Sequence, residues 1–361
     1  MSYPLEFGPT QLNGDLSEME TAGTVLGISK IPELPDGFFN AAAWSDNVDS
    51  TVLLGRYVTG RGEPGQPDIG SLAMTTIRDG AASPLTIVWT PEEGKKGDLL
   101  EDPRVAVGDD GLIFGTTRLS MDGHYKPYPA FCNATMAEIL ETGFPGTRYA
   151  VDSRESPDMV HLTPGKNGTP LGVSDYFMYR KETDDHRFVV SRLSSEDHIE
   201  LPYYVTIPED QIPDWGTRRM GTTMPPTWLN SSEAVILLHG IKMEANETRR
   251  WKLPRRTEVG NSRYIYSIGS ARLFFGEDEK LSIDNISPEA HLTPDSFGQI
   301  FPGEQVELRP EERRAVYLCG GVAVSKNTVP RFIRTYPNVG DTRTVEATFS
   351  VASIMANWRK P

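Results

Sequence analysis

The chain contains 361 residues, of which 33 are glycine and 28 are proline. The hydrophobic fraction of 38% is enough for a sizeable core, which excludes disorder for most of the chain, and the many turn-forming residues argue against a helical bundle. The net charge of −14 repels phosphate backbones and anionic lipids, so we expect neither a nucleic acid nor a membrane as a partner. An anionic small substrate would need a local basic pocket within this negative field.

The N-terminal segment has no basic stretch followed by an apolar one, and no apolar stretch approaches the roughly 18 residues of a membrane-spanning helix. Cys132 and Cys319 lie far apart and form no CxxC pair, and the histidines include no pair at i and i+4. These features predict a cytoplasmic protein with two reduced thiols and no metal site.

Short runs rich in β-branched and aromatic residues, bounded by Gly, Pro, Asp or Asn, recur along the chain. The predicted strands are residues 51–57, 85–89, 112–118, 188–193, 234–239, 264–275, 315–324 and 344–351. Helical patterns occur at residues 133–142 and 351–358. Because no helix of about 10–15 residues separates the strands, the pattern favours an all-β sandwich, barrel or propeller over βαβ units.

The strands fall into five clusters, spaced about 60–70 residues apart, as expected for propeller blades of four strands with long loops. No exact repeat and no Ser/Gly-rich linker divides the chain. We therefore predict an all-β fold, a five-bladed β-propeller with a short C-terminal helix. Residues 1–30 would form an N-terminal extension, and residues 31–361 would form a single propeller domain.

Common catalytic templates, such as GxGxxG, GxxxxGK[ST], HExxH and GxSxG, are absent. The conspicuous segment is Glu101-Asp102-Pro103-Arg104, which precedes a predicted strand at residues 105–107. In one interpretation it is a salt-bridged turn. In the other, Pro103 fixes the turn, Arg104 pairs with one carboxylate, and the second carboxylate faces a pocket as a general acid.

Eight further segments, in order and at fixed spacing, resemble those of one enzyme family. They are GFFNAA at 37–42, LLGRY at 53–57 with Arg61 beyond it, FVVSR at 188–192, RRMGTTMPP at 218–226, AVILLHG at 234–240, YIYSIGSARL at 264–273, YLCGGV at 317–322 and GDT at 340–342. Together with residues 101–104, they resemble glycoside hydrolase family 130, the β-mannoside phosphorylases and their hydrolytic relatives. The resemblance runs from about residue 32 to residue 358 and implies a five-bladed propeller with a funnel-shaped active site on its axis.

The resemblance also implies roles for individual residues. Asp102 would be the acid and would relay its proton through a hydroxyl of the mannose in the −1 subsite. The family's phosphate-binding positions correspond to Arg61, Arg192, Arg219, His239 and Tyr266. The positions that line its sugar subsite correspond to Asn40, Arg56 and Asp341. An inverting hydrolase needs two carboxylates, whereas a phosphorylase needs only the acid and a cluster of cations for phosphate.

The function implied is reversible, inverting phosphorolysis of β-linked manno-oligosaccharides to α-mannose 1-phosphate. Inorganic phosphate would be the co-substrate, and no metal or organic cofactor is implied. A β-1,2 linkage is favoured over β-1,4 because the sequence departs from the familiar β-1,4 disaccharide pattern. The alternatives are a β-mannosidase that uses water and a glycan-binding propeller without catalysis. Residues 153–172 are a candidate for contacts in a homo-oligomer or for the rim of the funnel.

Three departures from the family pattern stand out: Arg219 replaces a lysine, Leu238 replaces a tyrosine, and Asn40-Ala41-Ala42 replaces Asn-Pro-Gly. Purely structural interpretations also remain open. The arginines at strand ends can cap carboxylates, His239 and Tyr266 can be core residues, and Asp341 can make an Asx turn. For His239, the neighbouring Gly240 favours a functional role because glycine permits close approach of a ligand.

Overall fold

The structure is a computed structural model of the chain. The residues that it describes are 24–47, 50–58, 70–91, 99–107, 112–120, 126–142, 149–150, 160–161, 176–180, 186–192, 203–230, 232–243, 264–276, 280–297, 316–326, 329–340 and 343–358. Within these ranges, no helix has the length and apolar character needed to cross a bilayer.

The described strands form five consecutive groups, which we call blades one to five. After β1 (Val25–Lys30), blade one contains β2 (Phe38–Asn47), β3 (Ser50–Tyr57), β4 (Ser71–Arg78), β5 (Ala81–Ala82) and β6 (Thr86–Trp89). Blade two contains β7 (Leu99–Val107), β8 (Leu112–Ser120), β9 (Lys126–Ala134) and β10 (Tyr149–Ala150), with helix α1 (Met136–Thr142) between the last two strands. Blade three contains β11 (Val160–His161), β12 (Tyr176–Arg180), β13 (Arg187–Arg192) and β14 (Tyr203–Thr206).

The last two blades complete the ring. Blade four contains β15 (Arg219–Thr222), β16 (Thr227–Trp228), β17 (Glu233–Met243), β18 (Tyr264–Phe275) and β19 (Leu281–Asp284). Blade five contains β20 (Val316–Tyr317), β21 (Gly321–Lys326), β22 (Val329–Thr335), β23 (Asn338–Val339) and β24 (Arg343–Ser350), followed by helix α2 (Val351–Trp358). Strand β1 pairs with β24, so the N-terminal part of the described chain completes the last blade.

Pairing within each blade is antiparallel, whereas blades one and five are joined in parallel through Phe38 of β2 and Arg343 of β24. The chain is therefore a five-bladed β-propeller with a short C-terminal helix, as predicted. Strand β1 lies within the predicted N-terminal extension, and the boundary between residues 30 and 31 stays a prediction.

Hydrophobic side chains pack between neighbouring blades, which buries blades one, four and five on both faces. In β17, Ala234, Ile236 and Leu238 belong to a core shared with blade three, whereas Val235 and Leu237 belong to a core shared with blade five. Two further cores lie between blades one and two and between blades five and one. Burial on both faces explains why β17 has a nearly continuous apolar sequence instead of an alternating one.

Two predicted elements require correction. The segment 315–324 is not one strand, because β20 and β21 are separated at residues 318–320, where Gly320 lies against the backbone of β2. The first helix begins at Met136 instead of residue 133, because Thr135 and Glu138 form a capping box and Ala134 ends β9. The strand at 264–275 and the helix at 351–358 are confirmed at their predicted bounds.

Candidate active site

Asp102 lies inside a strand and not in a turn. Its segment belongs to β7, and the pairing of β7 with β8 shifts register between Glu101 and Arg104, which marks a β-bulge. At this bulge Asp102 adopts a φ of +48°. The predicted turn at Pro103 is therefore wrong, because the segment remains paired with β8 on either side of the bulge.

Asn40 occupies the matching position in blade one. The register of β2 against β3 shifts between Phe39 and Ala42, and Asn40 within this shift has a φ of +50°. Asparagine and aspartate tolerate this left-handed region better than most residues, yet each such residue still costs about 1–3 kcal/mol and persists only where its surroundings enforce it. Two facing strands thus each carry a bulge that aims a polar side chain.

The two bulged residues contact each other directly. Asn40 Nδ2 donates a hydrogen bond to Asp102 Oδ1 at 2.5 Å. Asn40 is buried, and the Asp102 side chain is 17% exposed, so this carboxylate is mostly shielded from solvent. The amide therefore fixes one oxygen of the predicted acid.

Arg56 on β3 holds both neighbouring carboxylates. Its guanidinium lies 2.5 Å from Glu101 Oε1 and 3.9 Å from Asp102 Oδ1, and it stacks over the Phe39 ring with 5.0 Å from Cζ to the ring centroid. The Glu101 charge is balanced by Arg56, and the predicted pairing of Arg104 with one of the two carboxylates is wrong. This arrangement leaves Asp102 as the more weakly paired carboxylate of the two.

Arg104 is directed away from these carboxylates and towards the far side of the ring. Its side chain is 1% exposed and donates to the backbone carbonyl of Asp102 at 3.0 Å. It also donates from Nε to the carbonyl of Thr223 at 3.0 Å and from Nη2 to the hydroxyl of Tyr317 at 2.9 Å. Because blade two is not adjacent to blade four or blade five, this side chain crosses the centre of the propeller.

Three residues of the predicted phosphate site lie on one face of blade four. Arg219 of β15 and Tyr266 of β18 are both paired with Ile241 of β17, from opposite sides. His239 lies two residues before Ile241 on the same strand. Directly paired residues and residues two apart share a face of a sheet, so the register brings these three side chains to one face.

His239 is 1% exposed, and its ring lies 4.8 Å from the ring of Tyr317, centroid to centroid. The prediction that Gly240 permits close approach of a ligand is wrong. A Cβ atom there would meet the Trp215 side chain at 2.2 Å and the Trp215 carbonyl oxygen at 2.5 Å. Gly240 therefore makes room for Trp215 between blades three and four and not for a ligand.

The remaining predicted residues are described in part or not at all. Arg61 and Asp341 lie outside the described residues, and Arg192 is described only as the last residue of β13. Their contributions to the site stay predictions. The sequence motifs include both Arg104 and Tyr317, but they predict no role for Tyr317 and the wrong partner for Arg104. Their connection depends on a contact across 213 positions of the chain, and no local pattern indicates it.

Comparisons with known proteins support the fold. Neither a family model nor a curated protein matches the sequence. Among solved structures, β-1,2-mannobiose phosphorylase from Listeria innocua, in complex with β-1,2-mannobiose, matches with a TM-score of 0.59 at 13% identity, over 92% of this chain and 96% of that chain.

A second structure has a TM-score of 0.56 and comes from a study of the GH130 family of mannoside phosphorylases. That study states that the family contains glycoside hydrolases that target β-1,2 mannosidic linkages in Candida mannan. The structure is 17% identical and covers 88% of this chain and 85% of its own. MPT-4, a mannose phosphorylase from Leishmania mexicana in complex with a phosphate ion, has a TM-score of 0.51 at 13% identity, over 95% and 93% of the two chains. The solved structures that share this fold thus include members of the predicted family.

Proposed function

We propose that the chain is an inverting β-mannoside phosphorylase of the glycoside hydrolase 130 type, with Asp102 as its acid. The observation that carries the proposal is the placement of Asp102, at a bulge near the centre of the ring, with Asn40 at 2.5 Å and Arg56 at 3.9 Å. The fold likeness to phosphorylases crystallised with mannobiose or phosphate supports the substrate class.

In the proposed reaction, a phosphate oxygen attacks the anomeric carbon of the terminal mannose from the face opposite the glycosidic oxygen. The bond from this carbon to the glycosidic oxygen breaks, and that oxygen receives the Asp102 proton, relayed by a hydroxyl of the same mannose. The products are α-mannose 1-phosphate and an oligosaccharide shortened by one residue, and solvent reprotonates Asp102. Phosphate replaces the water and the basic carboxylate that an inverting hydrolase needs.

The face of blade four that carries Arg219, His239 and Tyr266 supports a phosphate site. An arginine presents a planar set of donors that matches phosphate oxygens, so the exchange of lysine for Arg219 preserves the charge while it changes the geometry. Together with Arg61 and Arg192, this face would supply the basic pocket that the acidic chain requires for an anion. For the linkage we propose β-1,2.

The decisive experiment incubates purified protein with α-mannose 1-phosphate and mannose or mannobiose, and measures free phosphate and new oligosaccharide. We expect phosphate release with chain growth, and the product reveals the linkage. Cleavage of β-mannosides at equal rates with and without phosphate would establish a hydrolase instead. Absence of both reactions on β-1,2 and β-1,4 substrates, with retained glycan binding, would establish a binding propeller.

Two variants test the assigned roles. Asp102→Asn should lower turnover by roughly 10²- to 10⁴-fold while sugar binding persists, because asparagine cannot donate the proton.

Arg219→Gln should raise KM for phosphate at least about tenfold, since it removes a charge-assisted contact. Arg218→Gln removes the adjacent arginine and is the matched control, for which we expect an unchanged KM for phosphate.

A further inference from the structure

Arg104 connects the predicted acid to the predicted phosphate side of the site. One nitrogen, Nη1, donates to the backbone carbonyl of Asp102 at 3.0 Å, and Nη2 donates to the hydroxyl of Tyr317 at 2.9 Å. The ring of Tyr317 in turn lies 4.8 Å from the ring of His239. A single buried side chain therefore spans from Asp102 on blade two to the face of blades four and five where phosphate is expected.

The contact with Asp102 acts on the strained part of the backbone. The carbonyl that accepts the hydrogen bond belongs to the residue with a φ of +48°, and it lies within the bulge between Glu101 and Arg104. A bulge residue in the left-handed region persists only where its surroundings hold it. Pro103 restricts the chain on one side of this peptide, and the guanidinium fixes its carbonyl on the other side.

The far end of Arg104 is anchored equally firmly. Nε donates to the carbonyl of Thr223 at 3.0 Å, and Nη2 lies 3.4 Å from the carbonyl of Thr222, the last residue of β15. Arg219 begins the same short strand. A shift of Arg104 therefore moves the acid relative to the strand that carries a predicted phosphate ligand.

We propose that Arg104 is a positioning residue that holds the Asp102 bulge in register with the phosphate side of the site. It acts through the backbone of Asp102 and through Tyr317, and it contacts no reacting atom. This inference rests on the proposed function, in which Asp102 donates a proton to the leaving oxygen.

The test compares two substrates that differ in their need for that proton. Mannobiose has an alkoxide leaving group that requires protonation, whereas 2,4-dinitrophenyl β-mannoside releases a phenolate that requires none. In Arg104→Lys one nitrogen replaces three and cannot serve the carbonyl of Asp102, the carbonyl of Thr223 and Tyr317 together. We expect turnover of mannobiose to fall about 10- to 100-fold and turnover of the aryl mannoside to fall less than about threefold, a pattern shared in sharper form with Asp102→Asn.

Equal losses on both substrates would show that Arg104 only maintains the fold, and would overturn the proposal. Arg272→Lys is the matched control, because Arg272 holds Asp284 and Glu233 on blade four, outside the site, and its loss should leave the ratio of the two activities unchanged. If Arg104→Lys does not fold, Tyr317→Phe is the second variant, because it removes the hydroxyl that accepts from Arg104 and keeps the aromatic ring. We expect it to lower turnover of mannobiose and to leave turnover of the aryl mannoside unchanged.

A crystal structure of the Arg104→Lys or Tyr317→Phe protein separates this proposal from the proposed function. We expect the hydrogen bond between Asn40 and Asp102 to be lost or lengthened in the variant. An Asp102 with positive φ and an intact bond to Asn40 would overturn the positioning role, whatever the enzyme does. A wild-type protein that cleaves neither mannoside would overturn the proposed function and leave this structural comparison to decide the role of Arg104.

Discussion

Asn40 and Asp102 each combine an unfavourable backbone conformation with a short contact to the other. Their φ values of +50° and +48° coincide with the two bulges, and the hydrogen bond between them measures 2.5 Å. Strain of this kind persists where the surrounding structure enforces it, and it clusters at functional sites because it aims side chains that regular strands cannot aim. We therefore interpret the strain as the local cost of placing the Asp102 carboxylate beside Asn40.

Two substitutions at position 40 separate strain from hydrogen bonding. Asn40→Gly relieves the strain and removes the amide, whereas Asn40→Ala removes the amide and keeps the strain. We expect the alanine variant to be less stable than the glycine variant by about 1 kcal/mol in urea denaturation, with similar losses of activity in both. Asn285, with a φ of +47° outside the site, is the matched control and should show the same stability difference with full activity. A glycine variant that is less stable than the alanine variant would contradict the strained conformation of Asn40.

The ion pair between Arg56 and Glu101 makes a second prediction at this scale. Both side chains are at most 15% exposed, so removal of one charge leaves the other poorly solvated. Glu101→Gln should therefore lower the free energy of unfolding by about 2 kcal/mol, as measured by urea denaturation. Glu141→Gln on the exposed side of α1 is the control and should change it by less than about 0.5 kcal/mol. Equal effects of both substitutions would contradict the buried pair.

At the scale of the elements, the approach of blade five to β2 depends on Gly320. A Cβ atom at this position would lie 2.4 Å from the amide nitrogen of Ala43 and 2.5 Å from the carbonyl oxygen of Ala41. The contact falls within a few residues of the bulge that carries Asn40. Because backbone atoms of a central strand cannot move aside individually, a side chain here would displace the strand.

Gly320→Ala should accordingly lower the free energy of unfolding by about 2–3 kcal/mol and reduce turnover. Gly27→Ala on β1 provides the control, because a Cβ atom added there would meet no other atom within 4 Å, and we expect a change within about 0.5 kcal/mol. Both free energies are measured in urea. A stable, fully active Gly320→Ala protein would show that blade five does not position β2.

The elements also show where prediction from sequence succeeds. The run at 264–275 is predicted at its observed bounds, because aromatic and β-branched residues recur from Tyr264 to Phe275 and Asn261-Ser262 and Gly276 bound the run. The segment 101–104 is predicted as a turn, because a proline after two acidic residues is typical of turns and a bulge has no comparable local pattern. Gly320 interrupts a predicted strand for a reason that lies in another blade.

At the scale of the whole molecule, the predicted site residues divide by the distance over which they act. Asn40, Arg56 and Asp102 are identified through motifs, and the structure brings them together. The predicted partner of Arg104 is wrong, since its acceptors on blades four and five lie more than a hundred positions away and in non-adjacent blades. Contacts that cross a ring are set by closure of the fold, which local composition does not encode.

The packing of α2 against β18 creates a pH-sensitive contact. His291 Nε2 lies 2.8 Å from Ser270 Oγ, and Trp358 Nε1 of α2 donates to the same oxygen at 3.3 Å. This hydroxyl accepts from Trp358, and it can also donate to His291 Nε2 when the imidazole is neutral and its proton is on Nδ1. Burial lowers the pKa of His291 to about 4 from its ordinary value of 6.5, so the folded protein excludes the charged form.

The direction in which pH changes the stability follows from proton binding by His291 in the folded and unfolded states. Between pH 6.5 and about 4, the unfolded chain protonates His291 and the folded chain does not, so stability falls as the pH falls through this window. Burial raises the pKa of Glu346 on the neighbouring strand β24, which has the opposite effect, because its folded form favours the neutral acid and gains stability on acidification. The two groups must therefore be separated by substitution.

We expect the wild-type protein to lose about 2–3 kcal/mol more of its free energy of unfolding than His291→Gln when the pH is lowered from 7 to 4.5. The measurement is urea denaturation of both proteins at the two pH values, and the difference between the two losses isolates the histidine. Glu346→Gln, compared in the same way, should lose more than the wild type, because it lacks the compensating carboxyl. Equal losses in the wild-type and His291→Gln proteins would mean that the imidazole beside Ser270 accepts a proton in the folded state, and that acid does not act on this contact.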